Sequence, residues 1–290
     1  LLKRQRKPRT PDEKMILGNF KMMQFAWENR NKDLSLDLIL ELHQIGVEGI
    51  DDEVYFPGVI RDTDDVEVVD AEGTTVHTPP PAKGLAKRLK ELAIWTNECH
   101  HDIDNKEYFH PLLKAMTLHF SIGYEHPFRD GNGRVARSLF YWYMFKNDFA
   151  AFRYIAISLL LKAAPVQYGK SYLYTETDNM DLTYFLDYQS SIVLRAINEF
   201  KSSYQKTLKE ADEFNKWLWE SGLYRKLNEK QKTVFQVAKS RVALSFTAVN
   251  VKENLGCSYN TASSVLNGLV DLKLFKKKKN HKNNKLEDER

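Results

Sequence analysis

His126-Pro127-Phe128-Arg129-Asp130-Gly131-Asn132-Gly133-Arg134-Val135-Ala136-Arg137 is the stretch on which the reading of this chain turns. An apolar run, Leu112 to Tyr124, stands before it, and Ser138-Leu139-Phe140-Tyr141-Trp142-Tyr143-Met144-Phe145 follows. Both runs predict core helices, and Pro127 ends the first just before the loop. A polar, glycine-bearing loop is thus clamped between two buried helices.

The residue types in that loop suit phosphate chemistry. Gly131-Asn132-Gly133 lets the backbone take positive φ values that side chains disfavour. Successive N–H groups then converge at the start of the following helix, where the dipole favours an anion. Arg134 and Arg137 are three apart in the first turn and share a face, and guanidinium groups grip phosphate oxygens in bidentate fashion. Asp130 is a hard oxygen ligand of the kind Mg²⁺ takes beside nucleotide phosphates. His126 is the residue here that accepts a proton near neutral pH. Taken singly, a helix-end histidine, a glycine turn and an arginine pair all have plain structural explanations. In this order and this close together, packing alone does not account for them.

Working outward, helical spacing dominates. Residues 12–31 predict a helix with Met15, Phe20, Met23 and Trp27 on one side, and residues 34–43 a second, with Ser35 as N-cap. Further helices are expected at 82–100, 108–124, 134–147, 152–163, 181–207 and 211–222. Val66 to Val69 and Thr74 to His77, joined through Gly73, predict a β-hairpin that Pro79-Pro80-Pro81 closes. The segment 225–277 is read as three short amphipathic helices and then a lysine run.

Composition is that of an ordinary globular protein, with 42% apolar and 28% charged residues. Cys99 and Cys257 are far apart and form no CxxC pair, which argues against a disulfide framework or zinc site and fits a reducing, cytoplasmic setting. No apolar run is long enough to predict a membrane span. The net charge of +4 is unevenly spread. Basic residues crowd both ends, Lys3 to Arg9 and Lys276 to Lys282. Asp51, Asp52, Glu53, Asp62, Asp64, Asp65, Glu67, Asp70 and Glu72 make an acidic stretch between them. Such runs read as solvated loops or tails, or else as contacts with a charged partner.

The loop resembles, at every fixed position, the signature of the Fic family, His-x-Phe-x-(Asp/Glu)-Gly-Asn-Gly-Arg-x-x-Arg. Weaker similarity extends over residues 14–200, through Leu42-His43, Arg61, the hairpin at 66–78 where the family has its flap, and Asp181-Leu182-Thr183 with Phe185. The resemblance implies a mainly α fold, a Fic-type helical bundle with a small β-hairpin flap, over residues 1–210. A linking helix at 211–224, a winged helix-turn-helix-like module at 225–280 and a charged tail at 281–290 are expected to follow.

It also implies protein AMPylation, in which a Ser, Thr or Tyr hydroxyl attacks the α-phosphate of ATP and pyrophosphate leaves. His126 would take the hydroxyl proton, and Asp130 would hold Mg²⁺. Gly131, Asn132, Gly133 and Arg134 would hold phosphate oxygens, with Arg137 supporting the loop or the phosphates and Phe128 seating it. The flap residues Val66, Glu67, Val68 and Val69, with Val76, would pair with an extended segment of the target; a hairpin that merely covers the core is the alternative. Tyr172 or Tyr174 would lie against adenine, with Asp178 or Asn179 at its edge; a core tyrosine is the alternative. Many Fic proteins carry a Ser/Thr-x-x-x-Glu-Gly/Asn-Asn inhibitory helix whose glutamate pairs with the second motif arginine. Glu48-Gly49 and Glu72-Gly73 do not fit that pattern. The chain starts at Leu1, so such an element is expected upstream of it, acting on Arg137.

In the tail, residues 247–272 read as a helix, a turn at Gly256 and a second helix capped by Ser258, with Glu229 to Lys239 as a third and Phe275 and its lysines as a wing. Such a module binds DNA, or serves protein contact and homodimerisation. Its second helix offers Tyr259, Asn260, Thr261 and Ser263 but no arginine. Other transfers on the same loop (of UMP, of phosphoryl, or AMP removal) stay open, as does a DNA-binding regulator that only senses nucleotide.

Overall fold

The computed structural model describes residues 8–50, 56–69, 73, 75–100, 102, 108–280 and 283–288. The acidic residues Asp51, Asp52, Glu53, Asp70 and Glu72, the basic start Lys3 to Lys7, and His281 and Lys282 lie outside them. The chain divides into two compact units, Leu1–Phe200 and Lys201–Arg290. Among the described residues, no helix is long and apolar enough to cross a membrane.

The first unit is helical with one small hairpin. α1 (Pro11–Glu28) begins with Pro at N1 and Thr10 as N-cap, and α2 (Leu36–Val47) is capped by the Ser35 side chain accepting from Leu38 N–H. β1 (Val68–Val69) pairs antiparallel with β2 (Thr75–His77), Val68 opposite His77 and Val69 opposite Thr75, across a bulge. α3 (Leu85–Asn97) follows. α4 (Pro111–Glu125) and α5 (Asn132–Lys146) form the centre. α5 buries almost its whole circumference, including Val135, Leu139, Phe140, Trp142 and Phe145, as a helix apolar on all sides must. The loop between α4 and α5 is thereby fixed at both ends to the best-packed part of the unit.

Three expected boundaries differ. The stretch 152–163 is a 3₁₀ turn, Ala150–Tyr154, followed by α6 (Ile157–Ala163). The buried Tyr141 hydroxyl interrupts it by donating to Ile155 O at 2.8 Å and accepting from Ile157 N–H at 3.0 Å. α7 (Pro165–Thr177) has no counterpart in the sequence reading, because the residues it fully buries are the polar Ser171 and Thr175, which leave no apolar stripe. The helices expected at 181–207 and 211–222 are one, α8 (Thr183–Glu220). Residues 208–210 contain no breaker, and i,i+4 pairs such as Lys206–Glu210 and Lys209–Glu213 span the join.

The second unit contains α9 (Glu229–Lys239), with an Asn228–Gln231 capping box, α10 (Ala248–Leu255) and α11 (Tyr259–Asp271). Strands β3 (Ser245–Phe246), β4 (Phe275–Asn280) and β5 (Asn283–Asp288) form an antiparallel sheet in the order β3-β5-β4. Its core is built on Phe214, Leu218, Phe235, Leu266, Leu269 and Phe275.

Candidate active site

α4 ends at His126, which takes the left-handed conformation (φ 43°) while its N–H closes the last helical turn on Ile122 O at 3.1 Å. Its ring nitrogen Nδ1 lies 3.2 Å from Gly123 O. A carbonyl only accepts, so Nδ1 carries the proton and Nε2 keeps the lone pair. Burial lowers the pKa from 6.5 to about 4; the Gly123 hydrogen bond opposes this, and the charges of His77 and Arg61 add to it. The imidazole is thus neutral and its Nε2 is ready to take a proton.

Beyond it the loop is seated by Phe128, fully buried, whose ring stacks on His43. Asn132 closes the loop on itself. Its side-chain amide donates to Phe128 O at 2.6 Å and its oxygen accepts from Phe128 N–H at 2.8 Å. This side chain, expected to hold a phosphate oxygen, is buried and bonds the Phe128 backbone through both its oxygen and its nitrogen. Gly131 caps α5 at φ 84°, and a Cβ there would lie 3.2 Å from His43 Cδ2. The position needs glycine on both counts. Asp130 is exposed, with Oδ1 accepting from Gly131 N–H. Arg134 donates to Gly46 O on α2 at 2.9 Å. Arg137 is half-buried, its guanidinium 3.1 Å from where a Gly133 Cβ would stand. Among the described residues no group of three His, Cys, Asp or Glu is arranged as a metal cage. A single exposed carboxylate such as Asp130 is a hard oxygen donor of the kind Mg²⁺ takes alongside nucleotide phosphates.

The hairpin lies close to His126. His77 on β2 has Nε2 2.8 Å from Tyr124 O and Nδ1 2.9 Å from Glu176 Oε2 on α7. Burial alone would lower its pKa, but the Glu176 and Tyr124 hydrogen bonds and the Glu176 charge outweigh it, and the net shift is upward. Arg61, 4% exposed, reaches His126 O from Nε at 3.0 Å. Two members of the acidic stretch have structural work at the root of the hairpin. Asp64 accepts from Ala82 N–H at 2.6 Å, and Asp65 pairs with Arg129 at 3.1 Å. On the hairpin itself Val69 and Val76 are exposed, Val66 and Val68 are half-buried, and Glu67 accepts from the Thr75 hydroxyl at 2.7 Å.

Of the residues expected around adenine, Tyr174 and Asp178 both meet Tyr184, whereas Tyr172 lies in the core. Tyr172 is a core side chain, packed against Phe120 at 4.9 Å and Phe185 at 4.8 Å, its hydroxyl 3.2 Å from that of Tyr168. Tyr174 is exposed, and Asp178 accepts from the Tyr184 hydroxyl at 2.9 Å. Asn179 is exposed in a left-handed pair with Met180 (φ 51° and 63°) and makes no hydrogen bond among the described residues. His43, His77 and Arg61 are neighbours of the loop to which the sequence reading gave no individual role, naming them only within the family resemblance and the hairpin. A usable signal existed for one of them: Arg61 is the lone basic residue in the acidic stretch 51–72.

Residues 33–144 match the family model described as the Fic/DOC family. The protein adenylyltransferase fic-1 of Caenorhabditis elegans is 28% identical over 121 residues, 40% of this chain and 20% of that protein. The protein adenylyltransferase Fic of Nematostella vectensis is 36% identical over 63 residues, 22% of this chain and 14% of that protein. The chain therefore spans a fifth or less of the length of these curated relatives. Among solved structures, a Fic family protein from Desulfovibrio desulfuricans G20 has the same fold. It aligns at a TM-score of 0.57 and 16% identity over 97% of this chain and 76% of that one.

Proposed function

Because residues 33–144 match the Fic/DOC family model, we propose that this chain transfers AMP from ATP to a Ser, Thr or Tyr hydroxyl of another protein. The observation that carries this is the state of His126: neutral, with Nδ1 donated to Gly123 O and Nε2 left with its lone pair, beside a glycine-opened helix start. In this reading the target hydroxyl oxygen attacks the α-phosphorus, its proton passes to Nε2, the bond to the β-phosphate breaks, and pyrophosphate leaves. The α5 N-terminus, through the N–H groups of Asn132 and Gly133, holds phosphate oxygens; the Gly131 N–H is given to Asp130 Oδ1 and that of Arg134 to Gly131 O. Arg134 and Arg137 bring positive charge to the β/γ end. Asp130 fits as the carboxylate that holds Mg²⁺, which when bound neutralises phosphate charge. The exposed hairpin edge is the docking strand for the target.

The test uses ATP labelled at the α- or the γ-phosphate, with wild type and His126→Ala. Label carried to protein from the α position only, and lost in His126→Ala, supports AMP transfer. Label from the γ position would mean phosphoryl transfer, and label that persists without the imidazole would remove the base.

A second reading concerns the second unit, whose 90 residues hold 19 Lys and Arg against 10 Asp and Glu in a chain of net +4. α10, the turn at Gly256 (φ 58°) and α11 have the order of a helix-turn-helix, and β4–β5 that of a wing. α11 exposes Tyr259, Asn260, Ser264 and Asn267, and β4 exposes Lys276, Lys277 and Lys278. This supports binding of duplex DNA. Fluorescence anisotropy on a labelled duplex should give an affinity that falls steeply with salt; no binding at low salt would exclude it.

A further inference from the structure

A helix leaves its last carbonyls without partners inside the helix. At the end of α4, which carries His126, these partners come from the hairpin segment. Tyr124 O lies 2.8 Å from His77 Nε2. Glu125 O accepts from Arg61 Nη2 at 3.3 Å, and His126 O from Arg61 Nε at 3.0 Å. Pro127 O accepts from the Arg61 N–H at 2.8 Å. The same guanidinium donates to Thr63 O at 3.1 Å and to Pro80 O, so it also joins the two roots of the hairpin. Arg61 and His77 are 4% and 8% exposed, so these bonds are shielded from water.

Each nitrogen of His77 faces an acceptor, a carbonyl on one side and a carboxylate on the other. Both acceptors are satisfied only when both nitrogens carry hydrogen, which makes the ring an imidazolium. Two cations therefore sit where the α4 dipole is negative.

We propose that Arg61 and His77 are positioning residues: the hairpin caps the end of α4 in trans and so sets the place and protonation of His126. This rests on the reading of His126 as general base. The charged groups facing His126 are His77 from β2, Arg61 from the hairpin root and Asp130 from the loop. Glu176 and Arg61 face His77. A target strand docking on the hairpin edge is then coupled to the base through two side chains.

The experiment uses the full chain and the variants Arg61→Met, Arg61→Lys, His77→Gln and His126→Ala. Transfer from α-labelled ATP is followed against pH, and the His126 ring nitrogens by NMR. His77→Gln keeps a donor but loses a positive charge. The His126 pKa should rise, and the acid limb of the rate should move to higher pH with KM for ATP little changed. Arg61→Met should lower kcat roughly 10- to 10²-fold, as a displaced catalytic group does, with part of it restored in Arg61→Lys. An unchanged His126 resonance and acid limb in folded His77→Gln would overturn the proposal, and that variant decides it if Arg61→Met does not fold. If His126→Ala retains transfer, the base reading fails instead. The His126 resonance in His77→Gln then still reports whether the hairpin governs that ring.

Discussion

The imidazole of His43 lies flat on the phenyl ring of Phe128, 3.8 Å between centroids and 6° between planes. Its Nδ1 accepts from Gly58 N–H at 3.0 Å, and its Nε2 donates to Asp130 O at 3.0 Å. One ring from α2 thus ties the segment before the hairpin to the motif loop. Burial holds its pKa down at about 4, so it does this as a neutral group. Replacing it by Phe keeps the stack and removes both hydrogen bonds. His43→Phe should cost about 1–3 kcal/mol in urea unfolding and weaken ATP binding by calorimetry. Stability equal to wild type would show that these bonds are dispensable.

Gly131 is where the motif loop passes close to His43 of α2. Alanine there would need φ 84° and a Cβ 3.2 Å from His43 Cδ2. Gly131→Ala should lose about 1–3 kcal/mol and most nucleotide binding, because the N–H groups at the start of α5 are re-aimed. Denaturation and titration with ATP measure the two effects separately.

For His126→Ala the expected loss of transfer is ~10²–10⁴-fold. As the proposed general base His126 works when neutral, and its pKa is near 4. The rate of the free enzyme, kcat/KM, should therefore stay level through the neutral range and fall only towards pH 4. Binding of an anionic nucleotide should raise this pKa, which NMR of the ring with and without ATP will register.

Stability should also depend on pH. His43, His119 and His126 have folded pKa values of about 4, 3 and 4, each lowered first of all by burial from 6.5. The unfolded chain binds more protons between these values and 6.5. Their contribution is complete above pH 6.5 and is lost as pH falls towards 4 and 3. The melting temperature should drop over that window. His119→Phe, which removes a buried ring with Nδ1 unpartnered among the described residues, should flatten the slope.

Gly123 gives a fifth test. A Cβ on it would lie 2.2 Å from the Tyr172 hydroxyl oxygen, so α4 and α7 approach through this glycine. Gly123→Ala should be strongly destabilising, and Tyr172→Phe in the same chain should recover part of the loss. Strict additivity in that double-mutant cycle would show that the two do not touch in solution.

Much of the site was legible because its parts are local. The loop from His126 to Arg137, the helices on either side and the hairpin strands follow from apolar spacing, glycine and proline within a few residues. α7 was not legible, since Ser171 and Thr175 fill its buried face. Nor was the commitment of Asn132 to Phe128, because an asparagine beside glycine suits a phosphate equally well on paper.

The sequence by itself determined the mainly helical fold, the glycine-bearing loop and the place of its histidine, since short-range periodicity and backbone freedom are written in consecutive residues. Only the tertiary structure decided which groups hold that histidine. Arg61 bonds to a carbonyl 65 positions away, and His77 reaches partners 47 and 99 positions away. Carbonyls at a helix end attract any donor that folding brings near, and no local pattern says which one arrives.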